Sequence, residues 1–250
     1  MKSILYFLHI PKTAGTSLNN LIKSQFPKEK VYPHATYHQV YTNTKLNLDN
    51  FDIIAGHFTH SYIQNMIRPV KIITMLRNPL SRVVSAYNHF MREPVHNYEF
   101  NKFKKCPIKD AINMYPWLFS DQQTKHLGWS ENVLKMPRYK IPIPFSIENW
   151  LEFRQNLNME QIFQNACKNI DNMFLFGFTD RLEEFTKILF EKMEWNVPVE
   201  IPKSNIAKEN QVQENEINER VIKRIEELNS YDNRLYQYAR KKYKELYRNN

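Results

Sequence analysis

Residues 8–17, LHIPKTAGTS, constrain the fold of this chain more than any other stretch. An apolar run, ILYFLHI at 4–10, leads into it and stops at Pro11, which reads as a short buried strand. TSLNNLIKSQF at 16–26 follows, with Leu18, Leu21, Ile22 and Phe26 on one helical face. The turn between strand and helix holds Lys12, Thr13, Ala14, Gly15, Thr16 and Ser17. A strand–loop–helix unit of this kind aims backbone N–H groups and the positive end of a helix dipole at an anion. The order of residues narrows which anion. A Walker loop ends in Lys-Ser/Thr, so that the lysine reaches the terminal phosphates and the hydroxyl meets magnesium. Here Lys12 comes first, at the strand exit, and Gly15 is followed by Thr16. That order counts against a P-loop small-molecule kinase and places the cation beside the bound group instead of at the end of a triphosphate.

The rest of the chain repeats the strand–helix rhythm. FDIIAGHF at 51–58, VKIITMLR at 70–77 and MFLFGF at 173–178 read as further buried strands. NPLSRVVSAYNHFMRE at 78–93 reads as a helix with an Asn cap and proline at its first position. RLEEFTKILFEKM at 181–193 reads as another, with acids early and lysines late. Near-continuous apolar strands alternating with helices predict an α/β fold: a central parallel sheet of P-loop type, flanked by helices. Residues 94–150 break the rhythm with prolines and aromatics, and predict an inserted, loop-rich lobe on the substrate side. Residues 211–247 predict C-terminal helices. The 250 residues suit a single domain, 1–250, carrying that insertion.

Charge adds a location. The net charge is +9, and residues 1–110 hold 15 Lys+Arg against 6 Asp+Glu, so the whole excess lies with the candidate anion loop. A nucleic-acid binder would show a continuous basic stripe with interleaved aromatics, which is not the pattern here. With only four glycines, each is expected to serve a backbone need, either positive φ or close approach. No apolar run is long enough to span a bilayer, and the N-terminus is too short and wrongly flanked for a secretory signal, which predicts a cytoplasmic protein. Cys106 and Cys167 have no companions at ligand spacing, so no zinc site is expected, and no metal.

Two further stretches carry candidate chemistry. Arg77 stands at a strand end and Ser85 eight residues on, about two helical turns into the following helix. A guanidinium fork with a hydroxyl beside it suits a phosphate dianion. His57 follows Gly56 at another strand end; a neutral imidazole there can accept a proton near pH 7. His60 is the rival base, and His9 reads as structural, inside the first strand. Gln122, Lys125, Trp117 and Trp129 either face an acceptor or fill the lobe's core. PKSNIAKEN at 202–210 is a loop that could close over a nucleotide.

PKTAGTS resembles the 5′-phosphosulfate-binding loop of the sulfotransferases that use 3′-phosphoadenosine 5′-phosphosulfate (PAPS). RNPLSRVVSAYNHF at 77–90 resembles that family's 3′-phosphate motif, matched at Arg77 and Ser85. AGHF at 55–58 is similar to the Gly-His of the heparan-sulfate-type carbohydrate sulfotransferases and their bacterial relatives. DQQTKHLGW (121–129), FGFTDRLEEF (176–185) and LYQYARKKY (235–243) extend the likeness through most of the chain. The resemblance implies PAPS as sulfuryl donor, bound by Lys12, Thr13, Ala14, Gly15, Thr16, Ser17, Arg77 and Ser85. It implies His57 as general base, Lys12 as a second catalytic group, and a saccharide or other hydroxyl acceptor. A protein that kept the fold as a non-catalytic nucleotide- or glycan-binding module is the remaining alternative.

Overall fold

A computed structural model of the chain describes residues 2–36, 39, 46–64, 66–92, 106–130, 157–196 and 212–247, the Ser17 side chain excepted. Four strands, β1 (Ile4–Leu8), β2 (Ile53–Gly56), β3 (Val70–Leu76) and β4 (Leu175–Phe178), form one parallel sheet in the order β2-β1-β3-β4. Leu8 pairs with Gly56 on one side and with Thr74 on the other. The chain therefore passes from β1 to one neighbour and returns to the opposite side for β3. The strand order switches between β1 and β3, the place where open α/β sheets hold ligands.

β1 shows why both faces need cover. Tyr6 and Leu8 point into a cluster with Ile54, Phe176, Phe178, Leu235 and Tyr243. Leu5 and Phe7 point the other way, against Leu18, Ile22, Phe185 and Leu189. All of these are at most 4% exposed, so neither face of the strand meets water. The second face is covered by α1 (Gly15–Lys23) and α7 (Leu182–Lys192). The first is covered by α6 (Met159–Asp171) and α9 (Ser230–Tyr247).

Helix α2 (Pro79–Arg92) starts as its sequence predicts. Asn78 Oδ1 accepts the Ser81 N–H at 3.2 Å and the Asn78 carbonyl accepts the Arg82 N–H at 2.9 Å. Of the stretch expected to form an inserted lobe, 94–150, residues 94–105 and 131–150 lie outside the described residues. What is described is helical: α3 (Ile108–Met114), α4 (Pro116–Phe119) and α5 (Gln122–Gly128). Their apolar side chains close a third cluster with Val83 and Tyr87 of α2 and Val221, Ile225 and Leu228 of α8 (Glu219–Leu228). Trp117 packs against this cluster. The C-terminal stretch is divided, with a 3-10 turn at Glu214–Glu216, then α8, then α9. Asn229 separates the last two, its side-chain oxygen accepting the Asp121 N–H at 3.0 Å. Among the described residues no helix is long and apolar enough to cross a membrane.

Candidate active site

The loop after β1 is built from left-handed backbone. Lys12 has φ 71° and Ala14 φ 61°, whereas none of the described glycines has positive φ. Two non-glycine residues in this region cost on the order of 1–3 kcal/mol each, so the surrounding structure must impose the turn. Its product is a helix start without a cap from its own N-cap side chain: Ala14, which carries no hydroxyl, stands at the N-cap of α1. The first N–H groups of α1 and the helix dipole are thus left facing the loop's own concavity. Gly15 serves close approach. A Cβ there would lie 1.9 Å from Nε2 of His9.

That concavity is one wall of a cleft of about 310 Å³ at the strand ends. His9, Lys12, Ala14, Gly15 and Thr16 line it from the β1 side, and Arg77, Ser81, Ser85, Asn88 and Arg92 from the β3 side. Val84 of α2, Thr179, just past β4, and Val212, Gln213 and Glu214 complete it. Two cations at the ends of adjacent strands therefore share one cleft with the uncapped helix. The Arg77 Nη1–H donates to the Lys12 carbonyl at 3.4 Å, a contact that draws the guanidinium across to the loop. Burial pushes the Arg77 pKa down and Glu214 pushes it up; a guanidinium remains charged throughout.

Of the residues singled out in the sequence, Lys12, Ala14, Gly15, Thr16, Arg77 and Ser85 come together in this cleft. Thr13 does not join them with its side chain. It is fully buried, and its hydroxyl donates to the Ile10 carbonyl at 2.9 Å, tying the loop to the strand exit. Gln122 and Lys125 are not among the residues lining the cleft: Gln122 Nε2–H donates to the Trp117 carbonyl, and Lys125 Nζ–H to the Ser120 hydroxyl at 3.3 Å. The segment 202–210 lies outside the described residues.

His57 stands at the end of β2, with its N–H donated to the Ala35 carbonyl at 2.7 Å. Its Nδ1 is 2.8 Å from the His9 carbonyl oxygen, and the two imidazole centroids are 4.3 Å apart. Burial lowers the His57 pKa, the carbonyl bond opposes this, and the charge of Lys12 lowers it further. His9 is lowered well below the usual histidine range, by burial first and then by His57 and His126. His60 is lowered by burial alone and opens a 3-10 turn, His60–Ile63. The expectation that His9 sits inside the first strand is corrected. β1 ends at Leu8, and the His9 side chain lines the cleft.

Several cleft residues were missed in the sequence. Ser81, Asn88 and Arg92 fall with Ser85 at steps of four, three and four along α2, the spacing of one helical face. That polar stripe was a usable signal. Val212, Gln213 and Glu214 had no local signal. They are placed by Asn88, whose Nδ2–H donates to the Val212 carbonyl at 2.9 Å and whose Oδ1 accepts the Val212 N–H at 3.1 Å.

A parallel sheet with a strand–loop–helix turn at its switch point, an arginine at the next strand end and no lysine–hydroxyl pair in the Walker position is an α/β fold of the open parallel-sheet class. The comparison with known proteins gives the family. Residues 2–239 match the sulfotransferase family, and the chain belongs to it. It is similar to heparan-sulfate 6-O-sulfotransferase 3 of Homo sapiens, 29% identical over 201 residues, covering 75% of this chain and 40% of that protein. It is similar to heparan-sulfate 6-O-sulfotransferase 1 of Gallus gallus, 25% identical over 187 residues, covering 67% and 42% respectively. Likeness to the protein-tyrosine sulfotransferase of Arabidopsis thaliana is 22% over 131 residues, 48% of this chain and 26% of that one. The matched region spans less than half the length of each of these relatives.

Proposed function

We propose that this protein transfers a sulfuryl group from PAPS to an acceptor hydroxyl on a carbohydrate, with His57 as general base. The observation that carries the reading is the shared cleft of Lys12 and Arg77, with Ser85 beside them and the uncapped start of α1 on one wall. The phosphosulfate end of the donor lies against Lys12, Gly15 and Thr16. The 3′-phosphate lies against Arg77 and Ser85, where each charge-assisted hydrogen bond contributes roughly 1.5–3 kcal/mol.

The hydrogen bonding of His57 supports its role as base. A carbonyl oxygen only accepts, so the bond to His9 requires the proton on Nδ1 and leaves the lone pair on Nε2. The acceptor hydroxyl gives its proton to that Nε2 as its oxygen bonds to sulfur. The bond from sulfur to the bridging phosphate oxygen breaks, and the electron pair leaves with the 3′,5′-bisphosphoadenosine. Lys12 offsets the charge gathering on that leaving oxygen. A carbohydrate acceptor is supported by the breadth of the match to heparan-sulfate 6-O-sulfotransferases, which is wider than the match to the protein-tyrosine enzyme.

A thermal-shift comparison tests the donor. At 100 times its Kd, 3′,5′-bisphosphoadenosine stabilises the folded chain by about 2.7 kcal/mol, whereas ATP with magnesium gives a smaller shift. The reverse order would point to a kinase. Binding of the bisphosphate without sulfate transfer from PAPS to heparan-type, tyrosyl or phenolic acceptors would leave a nucleotide-binding module.

A further inference from the structure

Arg77 is the first residue past β3, where sheet pairing no longer fixes the backbone. Its N–H and its carbonyl are nevertheless both held, and by one side chain. Gln123 Oε1 accepts the Arg77 N–H at 2.9 Å, and Gln123 Nε2–H donates to the Arg77 carbonyl at 2.9 Å. A primary amide is the side chain that can accept and donate in one plane, so Gln123 acts as one further strand residue where the strand has ended.

Gln123 is itself fixed. It is 1% exposed and lies in the first turn of α5. The Asp232 carboxylate takes the Gln123 N–H at 3.2 Å, the Thr124 N–H at 2.7 Å and the Thr124 hydroxyl at 2.8 Å. Asp121, just before α5, returns the arrangement by accepting the N–H groups of Tyr231 and Asp232 at 3.1 and 3.0 Å. Each helix start is thus capped by an aspartate at the start of the other. The Arg82 side chain, 1% exposed, completes the group with Nε at 3.8 Å from Asp232. Arg82 belongs to α2, the helix that carries Ser85. One buried polar group therefore holds both the backbone of Arg77 and the helix of Ser85.

We propose that Gln123 is a positioning residue for the donor's 3′-phosphate: by clamping the backbone of Arg77 it directs the guanidinium into the cleft and sets the preference for a 3′-phosphorylated nucleotide. This rests on the reading of Arg77 and Ser85 given above. Arginine has several freely turning bonds, and a guanidinium displaced by about 1 Å loses much of a bidentate phosphate contact. Clamping the residue at its backbone removes the largest lever arm.

The test measures Kd for 3′,5′-bisphosphoadenosine and for adenosine 5′-monophosphate with the full chain and with Gln123→Met, which keeps the volume and loses both bonds. The wild type prefers the bisphosphate. The variant weakens bisphosphate binding about tenfold or more and changes monophosphate binding less than about twofold. Thr124→Val, which loosens the same helix start without touching Arg77, lowers Tm and keeps the wild-type preference. Should the Met variant fail to fold, Gln123→Asn, one methylene too short to reach, carries the same expectation. A wild type without preference overturns the assignment of Arg77 to the 3′-phosphate. A wild type with preference and a folded Gln123 variant that keeps it, or that loses both nucleotides equally, overturns the role of Gln123 alone.

Discussion

His57 donates from Nδ1 to the backbone carbonyl of His9 at 2.8 Å, and the two rings meet at a centroid distance of 4.3 Å. His9 in turn stacks on Phe7, with 5.3 Å between centroids and 8° between planes, and faces Gly15 across the loop. The proposed base and the proposed donor loop are therefore two sides of one residue. Its carbonyl fixes the tautomer of His57, and its side chain lines the cleft.

His57→Ala is expected to lower kcat by on the order of 10²–10⁴ while leaving the Kd of 3′,5′-bisphosphoadenosine within about twofold. Steady-state kinetics with PAPS and a heparan-type acceptor, paired with calorimetry, checks this. Wild-type turnover in the variant would shift the base to another residue, with His60 next in line.

The pH dependence of kcat/KM should show an acid limb below 6.5. The base works in its neutral form, and burial and Lys12 lower the His57 pKa, so activity is full at pH 7 and falls as acid protonates Nε2. A limb centred above 6.5 would exclude this histidine.

Stability should fall in the same direction. His126, whose Nδ1–H donates to the Gln122 carbonyl at 2.7 Å, is pushed down to about 4 by burial, and His9 and His57 are also lowered. Below about pH 6.5 the unfolded chain takes up protons that the folded chain refuses. The stability present above that value is lost as pH drops, by roughly 3 kcal/mol for His126 alone at its folded pKa. Chemical denaturation at pH 7.5, 6 and 5 measures it, and His126→Asn should flatten the slope.

Gly15→Ala places a methyl group against a ring that Phe7 and His57 already confine. The expected cost is about 1–3 kcal/mol, with weaker nucleotide binding. Gly15→Ala combined with His9→Ala should regain part of both, because the obstacle is removed. A single variant as stable and as tight-binding as wild type would mean that the loop yields easily.

Asp232→Ala leaves Arg82 buried without its carboxylate and uncaps α5. Loss of about 3–5 kcal/mol is expected, lowering Tm by roughly 10 °C. A calorimetric scan decides.

Much of this was legible in the chain. The four strands were readable because parallel strands covered on both faces are continuous apolar runs, as ILYFLHI is. The start of α2 was readable because an Asn cap and a following proline act within one turn of chain. The structure set the limits differently where neighbours decide. β1 stops at Leu8, not residue 10, because the chain turns into the loop there. The helix start at Gly15 takes no cap from the side chain before it, because Ala14 stands there with φ 61° and Thr13 turns to Ile10.

The sequence by itself determined the strand–loop–helix unit, the place of Lys12 before the turn, and the spacing that sets Ser85 about two helical turns beyond Arg77. These are properties of neighbouring residues, set by local sterics and the helical repeat. Only the tertiary structure decided that Arg77 shares a cleft with Lys12, that Gln123 holds its backbone from 46 residues away, and that His9 joins the loop to His57. Those contacts form between segments far apart in the chain. They come into being when the sheet closes and buried polar groups, cut off from water, must find their partners in one another.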